Sequence, residues 1–112
     1  MIIPNFVVGK DDARRILQCG DICEFKAEIE RPKCYKRIEE LKGMIVYDES
    51  SYSFAFITLD DYVPILLMKC AEYRTIRKLY SVTELDSFQT FPVKEKEAWK
   101  EIYNNHLFNY CL

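Results

Sequence analysis

The sequence predicts an α+β fold: an antiparallel sheet of about four strands, two short N-terminal helices and one long C-terminal amphipathic helix. Three stretches carry this expectation. Gly43 to Asp61 holds two apolar runs separated by the polar cluster Asp48-Glu49-Ser50-Ser51, the pattern of two strands around a loop. Cys23 to Glu30 alternates strictly, with Cys23, Phe25, Ala27 and Ile29 against Glu24, Lys26, Glu28 and Glu30. Trp99, Ile102, Tyr103, His106, Leu107 and Tyr110 recur at helical spacing over 93–110, opposite a wet face of Lys94, Glu95, Lys96, Glu97, Lys100 and Glu101.

Taken in order, Asp11 or Asp12 suits the N-cap of a short helix running to Cys19, with Ala13, Ile16 and Leu17 on one face and Gly20 closing it. Period two at 23–30 implies one buried and one wet face, hence a strand. A helix competes there, because Ile22, Phe25 and Ile29 also share a helical face. Pro32 fits the first turn of a second helix with Tyr35, Ile38 and Leu41 inward, ending at Gly43. Met44 to Tyr47 and Tyr52 to Leu59 then read as strands. Their connection lacks Asn-Gly or Asp-Gly, which favours a four-residue loop over a tight turn. Tyr52, Phe54, Phe56 and Thr58 are expected on one face; Ser53, Ala55, Ile57 and Leu59 take the other. Residues 62–82 fit either a helix begun at Pro64 or two strands, and the Tyr, Thr, Ile and Val content from Tyr73 to Val82 favours strands. No repeat, linker or low-complexity run divides the chain, so 1–112 reads as a single globular domain.

A chain of 112 residues that is 49% hydrophobic can bury one core and is too apolar to stay disordered. Its N-terminus lacks a basic leader and no apolar run reaches the length of a membrane span, so no membrane partner is expected. The five cysteines, 19, 23, 34, 70 and 111, read as reduced thiols, which points to the cytoplasm. Cys19 and Cys23 have no second close pair to complete a zinc site, so neither a metal nor a cofactor is expected. His106, the only histidine, lies on the apolar stripe and reads as a residue at the core edge. Cys111, five residues on, faces away from it on a helix. With no nucleophile elbow, metalloprotease motif or phosphate loop either, no catalytic residue is expected.

A net charge of −2 disfavours nucleic acid as a partner. The one stretch suited to RNA is 73–80, where Arg74, Arg77, Lys78 and Tyr80 combine charge with an aromatic ring, and an RNA-binding or translation-associated module is one alternative. Self-association through an exposed strand edge is another. The leading expectation is a protein-binding surface. Two segments, Gly43 to Met68 and Leu79 to Val93, carry acids without a base and are dotted with Tyr47, Tyr52, Tyr62 and Phe88. If adjacent, they form a negative patch suited to a basic partner, with Asp48, Glu49, Tyr52, Asp60, Asp61 and Tyr62 as contacts.

In general character the chain resembles the small bacterial immunity proteins that neutralise toxins exchanged between competing cells. The residues carrying the resemblance are YDESSY (47–52), LDDY (59–62) and TELDSF (83–88). These families share no signature, so no residue role transfers. The resemblance implies a one-to-one complex with a cognate toxin domain, often a basic nuclease.

Overall fold

The computed structural model describes residues 7–31, 35–60, 64–67 and 76–111, with the backbone alone at 29–31, 35–37 and 107–111. Strands β1 (Val7–Lys10) and β2 (Ile16–Gln18) form a small antiparallel sheet. The main sheet is antiparallel, in the order β6-β5-β4-β3-β7. Its strands are β3 (Asp21–Arg31), β4 (Tyr35–Asp48), β5 (Ser53–Thr58), β6 (Ile65–Leu66) and β7 (Arg77–Ser81). A 3-10 helix, Val82–Ser87, leads toward the long helix α1, Val93–Cys111.

Alternation along β3, β4 and β5 serves two cores, one on each face of the sheet. Ile22, Met44, Val46 and Ile57 pack with Val82, Leu85, Trp99 and Ile102 beneath α1. Cys23, Phe25, Ala27, Ile45 and Phe56 pack with Leu17 beneath the β1–β2 hairpin. The expected strand at 23–30 is therefore present, with Lys26 and Glu28 exposed opposite its buried residues. The expected pair around 48–51 is present as well, with Asp48 opposite Ser53 and four residues between the strands. Phe56 and Ile57 face opposite cores as the alternation requires. The C-terminal helix spans the expected residues, and β6 and β7 supply strands at either end of 62–82.

Neither N-terminal helix forms. At 11–15 the Asp11 carboxylate, rather than capping a helix, collects the donors of its own loop. Oδ1 accepts from the Ala13 and Arg15 amides at 3.0 and 2.8 Å, and Oδ2 accepts from Arg15 Nε and the Lys78 amide, both at 2.9 Å. Arg14 sits at φ 63°, which no α-helix tolerates. The chain leaves this loop as β2, with Leu17 buried and Ile16 exposed.

The second expected helix is part of β4, paired residue by residue with β3 from Ile22–Met44 to Arg31–Tyr35. Ile38 does not face inward; opposite Glu28, it is 59% exposed. Long-range pairing with β3 overrides the helix preference of Glu, Lys and Leu in this stretch. Gly43, expected as a helix end, lies mid-strand. A Cβ there would come within 3.0 Å of both Phe25 and Phe56, whose rings stack at 4.0 Å. The missing side chain is what lets the two rings meet across β4. Gly20, by contrast, needs its freedom for φ +90° at the β2–β3 turn.

Candidate functional site

The β4–β5 turn and the C-terminal half of α1 face one another across a groove. Two adjoining hollows make it up, of about 240 and 170 Å³, sharing Ile57, Pro64 and His106. The first continues along α1 past Glu101, Ile102 and Asn105, and the second runs under the turn past Asp48, Glu49 and Ser50. Ile57 and Ile102 are buried in the core beneath α1, so the floor is apolar.

Local hydrogen bonds set the turn. Asp48 Oδ2 accepts from Ser51 Oγ at 2.7 Å, and Oδ1 is 3.4 Å from the Ser50 amide, an Asx-type arrangement. The turn closes through Tyr52 at φ 52°, a left-handed conformation unusual for so bulky a residue. The residue as a whole is 85% exposed. Tyr47 packs edge-on against Phe54 beside the turn, at 5.4 Å.

Five carboxylates among the described residues meet cations: Asp11 with Arg15, Asp21 with Lys78, Glu24 with Arg77, Glu95 with Lys42, and Asp86 with Lys96 and Lys100. Among the described residues, Asp48, Glu49, Asp60 and Glu101 have no such ion pair. No Lys or Arg among them lines either hollow. Burial holds the His106 imidazole below its ordinary value, with the nearby Asp48 carboxylate pulling the other way.

The predicted contact residues divide. Asp48, Glu49 and Tyr52 come together at the turn, whereas Asp60 follows the other end of β5. The five steps from Ser53 to Thr58 alone span about 17 Å. Asp60 instead borders a separate hollow of about 240 Å³ beside Lys42, Glu95 and Trp99. There Glu95 Oε1 accepts from Lys42 Nζ at 2.9 Å and from Trp99 Nε1 at 3.3 Å. Asp61 and Tyr62 lie outside the described residues.

The second acid-only segment begins in β7, which β3 separates from β4, where Asp48 lies. Its acids are also engaged locally. Glu84 accepts from the Ser81 amide in a capping box, and Asp86 Oδ1 lies 2.5 Å from Lys100 Nζ.

The basic stretch is likewise engaged where it is described. Arg77 pairs with Glu24 and Lys78 with Asp21, while Tyr80 packs against Phe88 and Phe91; Arg74 lies outside the described residues. The β7 edge meets the 11–12 loop, where the Lys78 amide donates to Asp11 and the Asp12 amide to the Ile76 carbonyl.

Sequence reasoning placed His106 at the core edge and Glu101 on the wet face of the helix. The closeness of His106 to the β4–β5 turn, and of Glu101 to the adjoining hollow, escaped it. The helical spacing of Glu101, Ile102, Asn105 and His106 marks a common side of α1, but only the packing of that side beside the turn makes a groove. Cys23 is fully buried beneath the hairpin, on the opposite face of the sheet from α1, and burial pushes its thiol far above the ordinary value. Among the described residues no group of three or more His, Cys, Asp or Glu is arranged to hold a metal ion, and no helix is long and apolar enough to cross a membrane. No protein-family model, curated protein or solved structure was found to match the chain.

Proposed function

We propose that this protein is a non-enzymatic binder of a basic protein partner and, in its most concrete form, an immunity protein that neutralises a nuclease-type toxin domain in the cytoplasm. The observation that carries the reading is Tyr52. A large aromatic side chain stands almost fully in solvent, on a strained turn, beside two carboxylates without an ion-pair partner among the described residues. Folding alone favours Gly or Asn at such a position, so a tyrosine held there points to a contact made outside the chain. Exposed aromatic anchors flanked by charge suit an interface: the ring supplies buried area and the carboxylates supply steering and register. Against a nuclease, the same carboxylates would take the place of the phosphate backbone on the toxin's lysines and arginines.

The reading narrows the contact surface to the turn, with Asp60 peripheral. A tagged pull-down from the native lysate at moderate and high salt, followed by intact-mass identification and reconstitution with the purified partner, tests it. Tyr52→Gly relieves the left-handed strain, so the fold should hold or gain up to about 1 kcal/mol. Partner affinity should nonetheless fall by about tenfold or more, the loss typical of an interface anchor. Glu49→Lys should weaken binding and flatten its salt dependence, whereas Asp60→Lys should do less. A partner bound equally well by Tyr52→Gly and Glu49→Lys would end this reading of the turn.

A further inference from the structure

The groove beside the turn is a separate feature from the turn itself. Its floor is apolar, with Ile57 and Ile102 each 4% exposed, and its rim carries Asp48 and Glu49 at one end and Glu101 along α1. The adjoining hollows, about 240 and 170 Å³, leave room for a long side chain laid along the groove.

We infer that this groove seats an arginine side chain of the basic partner, with its methylene stem on Ile57, Pro64 and Ile102 and its guanidinium at the rim carboxylates. Charge complementarity favours this occupant. Among the described residues, Asp48, Glu49 and Glu101 line the hollows without an ion pair, and no Lys or Arg lines them. An apolar floor under a charged rim matches a side chain that buries its stem and keeps its head polar. Arginine fits better than lysine because its planar fork presents five donors to the rim carboxylates.

The inference rests on the reading of this protein as a binder of basic partners, and its test stands apart from partner capture. The labelled full chain is titrated, by NMR, with the blocked tripeptide acetyl-Gly-Arg-Gly-amide and with the analogue carrying citrulline, which keeps the shape and loses the charge. Saturable shifts of the Ile57 and Ile102 methyl groups by the arginine peptide alone are expected. Glu101→Gln should weaken them by about tenfold, as loss of a charge-assisted hydrogen bond does. Equal response to citrulline, or drifting shifts spread over exposed acids without saturation, would overturn the groove as an arginine seat. If Tyr52→Gly releases a captured partner while the methyl groups ignore the peptide, the groove inference fails and the binding function survives. Saturation in the groove with no basic partner retained would support the seat and sink the broader reading.

Discussion

Asp11 offers the sharpest test of how the sequence builds this fold. Its side chain is fully buried, and its two oxygens each accept two hydrogen bonds, tying the 11–15 loop to β7. Asp11→Ala leaves three backbone donors without their acceptor. Ala13 and Arg15 are exposed, so their amides recover water in part, at about 1 kcal/mol each. The Lys78 amide, on a half-buried edge strand, loses about 1–2 kcal/mol. The Arg15 guanidinium rehydrates at little cost. A total of about 3–4 kcal/mol is a large share of the 5–15 kcal/mol typical of a domain. Asp11→Asn should cost nearly as much, because either orientation of the amide turns its NH2 group toward two donors. Urea unfolding monitored by Trp99 fluorescence measures both, and hydrogen exchange at the Lys78 amide should accelerate in both.

The pH dependence follows the same bonds. Burial pushes the Asp11 carboxyl up, but the bonds from Lys78 and Arg15 outweigh it and hold the group below its ordinary value of 3.8. Its contribution is therefore complete above the unfolded value and is lost as pH falls through the lower folded value. An Asp11→Asn protein within about 0.5 kcal/mol of wild type at neutral pH would refute the four-bond account.

Gly43→Ala places a methyl group within 3.0 Å of Phe25 and of the Phe56 Cβ and 3.2 Å from the Ile57 carbonyl. Since the last two are backbone or next to it, the stack must open, at about 1–3 kcal/mol in a denaturation midpoint; an unchanged midpoint would mean that the ring contact is not tight. For His106 the folded value lies below the unfolded one, so its stability contribution is full above the unfolded value and fades as pH falls through the folded one. Wild type should accordingly lose more stability between pH 7.5 and pH 5.5 than His106→Asn does, and parallel losses would place the imidazole in water.

Strands came out legibly wherever alternation was reinforced by β-branched or aromatic residues, as at 53–58, and the C-terminal helix wherever period 3.6 ran for several turns. Residues 35–42 misled because Tyr35, Ile38 and Leu41 also fall at helical spacing, and Glu and Lys satisfy helix and strand surface alike. Only their register against β3 decides, a contact between residues far apart in sequence. Asp11 misled for a related reason: a carboxylate before an apolar run is a helix cap only if the following amides are its nearest donors. Here Lys78, distant in the chain, claims one oxygen.

The candidate site divides in the same way. By itself the sequence determined that residues 48–51 form a loop between two strands, that their acids have no neighbouring base, and that α1 carries one apolar side. Each of these follows from local spacing and from chemistry a few residues long. The tertiary structure alone decided that Tyr52 belongs to the turn, that Asp60 sits a strand's length from Asp48 and that Asp86 is met by Lys96 and Lys100. It likewise brought His106 beside that turn and Glu101 into the adjoining hollow. Strand order and helix placement follow from which buried faces find one another, and that information is spread over the whole chain.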